Sequence, residues 1–131
     1  MAELVWIQLE AVVSLHDRSI ARHGGAEGVR DLGLLESALA RPENLHHYEG
    51  VTDIPQLAAV YASAVSSNHP FADGDKRAAL LVLALFLRLN GWRLIAGQVE
   101  ATRTMLALAA GDLDATELTE WVRRNSLRTD P

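Results

Sequence analysis

The sequence predicts an all-α fold, a compact bundle of about six helices around one buried central helix. Two observations support this prediction. Residues 78–87 are apolar on every side, as expected for a helix at the centre of a bundle. The segments around them carry apolar residues at helical spacing or have helix-capping residues at their ends, and only residues 92–95 suit a short extended piece.

The ends of the first three helices are marked by Gly, Asp and Pro. Gly24 stops the first helix, Asp31 is a suitable N-cap for the second, Pro42 ends the second, and Pro55 fits the first turn of the third. The predicted helices in chain order are residues 4 to about 22, 32–40, 54–68, 76–90, 100–110 and 115–125.

The remaining segments are assigned by the same signals. Residues 43–52 are polar and without a regular period, so we expect a loop or flap there. Gly91 is the C-terminal stop of the central helix. Asp114 and Glu117 have the spacing of a capping box, which places the start of the last helix.

Length and composition limit the class of protein. The chain has 131 residues, of which 49% are hydrophobic, and we expect one domain spanning residues 1–131. A net charge of −5 disfavours broad nucleic-acid binding, and the lack of cysteine excludes disulfides and thiolate metal sites. The first residues do not resemble a signal peptide and residues 78–87 are too short to span a bilayer, so we expect a cytoplasmic protein.

The most informative stretch lies just before the buried helix. Residues 69–77 contain a histidine, two aspartates, a glycine, a lysine and an arginine. The first amide groups of a helix lack helical partners and carry partial positive charge, so a helix start attracts anions. A cluster of these side chains at such a start suggests phosphate chemistry.

Two residues of this stretch have both a catalytic and a structural interpretation. His69 can take a proton from an attacking hydroxyl group near neutral pH, or it can satisfy the end of the preceding helix. Asp73 can hold Mg²⁺ together with substrate phosphates, or it can cap the following helix.

The neighbouring residues suit a phosphate cradle. Gly74 allows close approach of the backbone, and the amides around Gly74, Asp75 and Lys76 can form an anion nest. Arg77 has donors that match phosphate oxygens, while Lys76 can equally be a solvated side chain. Phe71 is expected to be an apolar anchor that fixes the loop.

The segment HPFADGDKRAAL, residues 69–80, resembles the signature of the Fic/Doc family. Three further blocks are similar to family blocks in the same order: HDRSIARHGG (16–25), GVRDLGLLESALARP (28–42) and FLRLNG (86–91). Lys76 and Arg77 match the Doc, or death-on-curing, branch. The resemblance implies a helical Fic/Doc fold over most of the chain.

The resemblance also implies an activity. In the Doc branch His69 would be the base, Asp73 the Mg²⁺ ligand, and Lys76 and Arg77 would complete the catalytic set. Such proteins are toxins of toxin–antitoxin pairs that transfer the γ-phosphate of ATP to a hydroxyl group of a translation protein, elongation factor Tu. The implied partner is a Phd-like antitoxin whose C-terminal segment folds as a helix against the toxin.

Asp75 departs from the family pattern, which has asparagine there. An ionised aspartate cannot donate a hydrogen bond to a phosphate, and it repels triphosphate. Asp75 is therefore a structural N-cap with reduced activity, a ligand of a second cation, or a mark of lost catalysis. If the carboxylate weakens a triphosphate nest, asparagine at this position is predicted to strengthen ATP binding and raise transfer. If Asp75 holds a cation or is an essential cap, asparagine is expected to give no gain.

Two rival functions follow from these residues. The first is AMP transfer of the Fic type; Gly74 fits it, whereas Lys76 and Leu80 argue against it, because the AMP-transferring branch has a glycine and a second arginine at those positions. The second is a catalytically impaired Doc fold that serves as an antitoxin-binding module, which Asp75 supports.

Overall fold

The computed structural model describes residues 3–26 and 28–129. These residues form six α-helices and one sheet of two short strands, so the predicted all-α fold is confirmed. Within this described part of the chain, no helix is long and apolar enough to cross a membrane. In chain order the elements are α1 (Leu9–His23), α2 (Leu32–Glu49), α3 (Ile54–Asn68), α4 (Asp75–Leu89), β1 (Trp92–Leu94), α5 (Gln98–Ala110), α6 (Ala115–Arg124) and β2 (Ser126–Arg128).

Helices α3 and α4 pack against each other at the centre of the bundle. Helices α2 and α6 pack on α3, while α1 and α5 pack on α4. Ala79, Leu83 and Phe86 of α4 are fully buried, and so are Ala58 and Ala62 of α3, whose small side chains allow close helix approach. Burying a large apolar side chain such as Leu or Phe contributes about 1.5–3 kcal/mol, so the α3–α4 pair is a rigid base for the segment that joins the two helices.

The first helix begins later than predicted. Residues 3–8 are not helical, and α1 starts at Leu9. Asn90 at the end of α4 binds both polar groups of the Val5 backbone, since its Oδ1 accepts from the Val5 amide at 2.8 Å and its Nδ2 donates to the Val5 carbonyl at 2.9 Å. The Tyr61 hydroxyl accepts from the Ile7 amide at 3.2 Å. These distant partners satisfy the backbone without a helix.

The second helix continues through Pro42 to Glu49, so the predicted loop or flap over residues 43–52 was wrong. Pro42 is buried and follows Leu35, Ala38 and Leu39 at helical spacing, and it therefore extends the apolar face of the helix instead of ending it. The helix ends at Gly50, which is left-handed with φ 70° and whose amide donates to the His46 carbonyl.

The other boundaries agree with the sequence to within two residues, and one strand was missed. Helix α3 has the predicted bounds, and the capping box of α6 is present, with hydrogen bonds of 2.8 and 3.1 Å between Asp114 and Glu117. Strand β2 was not predicted; it pairs antiparallel with β1 so that Arg93 faces Leu127. This sheet lies at the end of α4 opposite to the 69–77 segment.

Candidate active site at the start of the central helix

The segment that joins α3 to α4 begins with His69 in an uncommon conformation. Its φ is 49° and its ψ is 55°, which makes it the one non-glycine residue with positive φ in the described part of the chain. The following Pro70 disfavours a right-handed helical conformation at His69, so α3 stops there. The side chain of His69 is 63% exposed and can be reached by another protein.

The backbone at His69 is fixed by the segment before α2. The guanidinium group of Arg30 donates to the His69 carbonyl from Nε at 3.0 Å and from Nη2 at 2.6 Å. The Pro70 carbonyl accepts from the amides of Arg30 and Asp31 at 2.7 and 3.1 Å. Sequence reasoning did not assign a role to Arg30, although Arg30 lies in one of the blocks that resemble the family.

A second residue without a predicted role, His16, contacts this segment from the protein interior. His16 is 1% exposed, and its ring stacks on buried Phe71 with centroids 3.8 Å apart. Its Nε2 lies 2.7 Å from the Asp73 carbonyl oxygen, and because that oxygen can only accept, Nε2 bears the proton. His16, a residue of α1, therefore fixes the backbone of the turn at Asp73.

Asp73 and the glycines around it form a tight turn. The Asp73 side chain is exposed; its Oδ1 accepts from the Gly74 amide at 2.8 Å and its Oδ2 accepts from the Ala26 amide at 3.4 Å. A Cβ on Gly25 would lie 2.7 Å from this Oδ2. Gly25 thus leaves the space that the carboxylate fills.

This turn could hold Mg²⁺ only with help from a substrate. In the described residues no group of three His, Cys, Asp or Glu side chains could hold a metal ion. A single exposed carboxylate nevertheless fits Mg²⁺, which usually takes one or two carboxylates together with substrate phosphates. The donor set of Asp73 therefore fits a magnesium ion that is bound with a nucleotide.

The first turn of α4 has free backbone donors. Gly74 is the N-cap, with φ 80°, and provides no capping side chain. The first helical hydrogen bond is donated by the Ala78 amide to the Gly74 carbonyl at 2.8 Å. None of the described residues accepts a hydrogen bond from the amides of Asp75, Lys76 or Arg77. Three unpaired amides at the positive end of a helix are suited to an anion.

The two cations of this turn are placed differently. Lys76 is exposed, in agreement with a solvated side chain. Arg77 is half-buried, and its Nη2 donates to the Gly24 carbonyl at 3.1 Å. That bond uses one of the guanidinium donors and links the end of α1 to the start of α4, while the other donors remain for an anion.

Asp75 is the first residue of α4 and not its N-cap, so the N-cap interpretation was wrong. Its Oδ1 accepts from the Phe71 amide at 3.0 Å, and its Oδ2 lies 3.5 Å from His69 Nδ1. The carboxylate is 18% exposed. Its carboxylate therefore faces the Phe71 amide and the histidine from the first turn of the helix.

The fold thus gathers the polar side chains of residues 69–77 at one end of α4. His46 of α2, by contrast, packs on Trp6 at a centroid distance of 5.5 Å and binds the Val51 carbonyl.

The chain is similar to known proteins over a region that contains the whole of this site. Residues 6–87, which include the whole site, match the model of the Fic/DOC family. The chain is 35% identical over 118 residues to "Protein kinase doc" of Escherichia phage P1, covering 90% of this chain and 93% of that protein. It is 41% identical over 76 residues to "Toxin Doc" of Mycolicibacterium smegmatis, covering 56% of this chain and 57% of that protein.

Proposed function

The chain belongs to the Doc branch of the Fic/DOC family, and on that premise we propose that it is a Doc-type toxin that transfers the γ-phosphate of ATP to a hydroxyl group of a translation protein. The observation that supports this most directly is the position of His69. Its Nδ1 lies 3.5 Å from the Asp75 carboxylate in the first turn of α4, and the open amides of that turn can receive a phosphate.

His69 is the proposed general base. Its imidazole takes the proton of the attacking hydroxyl group while the oxygen forms a bond to the γ-phosphorus atom. The bond between that phosphorus and the β–γ bridging oxygen breaks, and ADP leaves. The 63% exposure of His69 allows a side chain of a folded protein to reach it.

The start of α4 is the proposed phosphate site. The amides of Asp75, Lys76 and Arg77 donate to phosphate oxygens, and the free donors of Arg77 add charge-assisted hydrogen bonds. Asp73 is the carboxylate that would hold Mg²⁺, which when bound neutralises charge on the phosphates. Gly74 leaves room for the Arg77 and His16 side chains, because a Cβ there would lie 3.2 Å from Arg77 Nη2 and 3.3 Å from His16 Nε2.

Elongation factor Tu is the acceptor to test first, because resemblance to the Doc branch implies it. The proposed partner that restrains the toxin is a Phd-like antitoxin whose C-terminal segment folds as a helix on the toxin surface. One of the relatives is named a kinase and the other a toxin, which supports the proposals of phosphate transfer and of a toxin.

The test is intact-mass analysis of purified elongation factor Tu after incubation with the protein, ATP and Mg²⁺. We expect the mass of one phosphate to be added, and to be lost with the His69→Ala variant. His47→Ala removes an exposed histidine of α2 and is the matched control. Addition of AMP would instead support the Fic-type activity, which Lys76 and Leu80 disfavour. No addition to this or other translation proteins would favour the antitoxin-binding module.

A further inference from the structure

We propose that Asp75 is a positioning residue for His69: its carboxylate holds the imidazole with the proton on Nδ1 and leaves Nε2 free to act as the base. The catalytic consequence rests on the function proposed above, whereas the histidine geometry is a property of the free protein. The family pattern has asparagine at this position, so the pairing belongs to chains that carry aspartate.

The position of the Asp75 carboxylate is fixed by the helix backbone and by one hydrogen bond. Its Cα lies in the first turn of α4, and its Oδ1 accepts from the Phe71 amide at 3.0 Å. Phe71 is itself fixed, since its ring is buried and stacked on His16. The second oxygen, Oδ2, therefore has a defined position, and from there it faces His69 Nδ1 at 3.5 Å.

This distance is longer than a good hydrogen bond, so the proposal requires the exposed imidazole to rotate toward the carboxylate. Catalytic hydrogen bonds are often long in the free enzyme and shorten when the substrate binds. Because an ionised carboxylate only accepts, its approach favours a proton on Nδ1. The backbone of His69 is meanwhile anchored by Arg30, so this approach needs only a rotation of the side chain.

Asparagine at position 75 would favour the opposite state. Its Oδ1 can still accept from the Phe71 amide, but the remaining group is an NH₂ that only donates. Such a donor would pair with an unprotonated Nδ1 and move the proton to Nε2, the nitrogen that must accept from the substrate. The same NH₂ and the loss of negative charge would improve the binding of triphosphate. Aspartate at position 75 thus favours the His69 tautomer that can act as the base, whereas asparagine favours the binding of the phosphates.

The first experiment determines the tautomer of His69 by ¹H–¹⁵N NMR of the imidazole groups in the free protein, at mildly alkaline pH. His69→Ala identifies its signals among the five histidines. We expect mainly the Nδ1-protonated form in the natural protein and mainly the Nε2-protonated form in Asp75→Asn. The same tautomer in both proteins would overturn the proposal, whatever activity either protein has.

Two further variants separate positioning from folding. Asp73→Asn makes the same chemical change two residues earlier in the loop, and should leave the His69 tautomer unchanged. Asp75→Ala removes both contacts of the carboxylate, and faster hydrogen exchange of the Phe71 amide would report the loosened loop. In Asp75→Asn that amide should remain protected, because its acceptor is kept.

The second experiment measures kcat and the ATP affinity of Asp75→Asn separately. We expect tighter ATP binding together with a kcat lower by about tenfold or more, because a general base contributes at least that much. A merely structural role would not move the two quantities in opposite directions. A kcat equal to or above that of the natural protein would overturn the proposal, and absence of transfer by the natural protein would count against the proposed function alone.

Discussion

The starts of α4 and α6 use aspartate in opposite ways. At α6 the Asp114 carboxylate accepts from the Glu117 amide at 2.8 Å, and the Glu117 carboxylate accepts from the Asp114 amide at 3.1 Å. At α4 the N-cap is Gly74, and the Asp75 carboxylate points back to the Phe71 amide and to His69. At α6 the Asp114 side chain satisfies the Glu117 amide, whereas at α4 no side chain accepts from the amides of the first turn, and these stay available for a ligand.

Two other helices follow the pattern of α6. Asp31 accepts from the Leu34 amide at 3.0 Å and Asp53 accepts from the Gln56 amide at 3.2 Å. Asp53 also binds Arg123 at 2.8 Å, and this hydrogen bond raises the pKa of the arginine. Side-chain caps thus stabilise the starts of α2, α3 and α6, whereas α1, α4 and α5 have none. Among the three uncapped helices, α4 is the one that starts at the site of the proposed base. Four substitutions test this contrast.

The largest effect is expected for His69→Ala. Loss of the base should lower the rate of transfer by about 10²- to 10⁴-fold. The melting temperature should change little, since the side chain is exposed and the contacts of this residue with Arg30 use its carbonyl. Phosphate incorporation and thermal unfolding measure the two quantities. An undiminished rate would remove His69 from the mechanism.

A smaller effect is expected for Asp73→Asn. The amide oxygen can still accept from Gly74, but the loss of charge should weaken the Mg²⁺-dependent part of ATP affinity by about tenfold, equivalent to about 1.4 kcal/mol. Calorimetry with ATP, with and without Mg²⁺, measures this part. Asp17→Asn, on the exposed side of α1, is the control. Equal affinity of the natural protein and the Asp73 variant would exclude this carboxylate as a ligand.

Gly74→Ala tests the open helix start against a glycine of the same conformation. Gly74 has φ 80° and Gly111, the C-cap of α5, has φ 82°. Alanine at either position should cost about 1–2 kcal/mol of stability, because both adopt left-handed conformations. Only at Gly74 would the new Cβ crowd Arg77 and His16, so only Gly74→Ala should weaken ATP binding. Equal ATP affinities of the two variants would contradict a phosphate site at Gly74.

The smallest effect on the site is expected for a substitution at the start of α6, where the Asp114 side chain caps the helix. Asp114→Ala should lower the free energy of unfolding by about 1 kcal/mol through loss of the cap. ATP binding and transfer should be unchanged, because the first turn of α6 has no part in the site. Urea unfolding and a transfer assay measure both. A loss of transfer without a loss of stability would show that the two helix starts are not separate in function.

The local parts of this architecture were predictable from sequence. The capping box at Asp114, the start of α3 at Pro55 and the cluster of residues 69–77 depend on neighbours in the chain. The continuation of α2 through Pro42 was not predicted, because burial on the apolar face outweighed the usual effect of proline.

The supporting contacts of the site could not be predicted. His16 meets Asp73 from 57 residues away, and Arg30 meets His69 from 39 residues away. Such pairings depend on how the helices pack, which spacing in the sequence does not report. The direction of the Asp75 carboxylate is likewise a matter of side-chain conformation, and the sequence left several interpretations of it open.

The most direct test of the contrast between the two helix starts is an amide NMR titration of the natural protein with ATP and Mg²⁺. We expect the amide signals of residues 74–77 to shift on binding, because the nucleotide phosphates replace solvent at the open turn of α4. The signals of Asp114 and Glu117 should stay in place, since the two residues already pair with each other in the capping box. Shifts at α6, or binding without any shift at residues 74–77, would contradict the account.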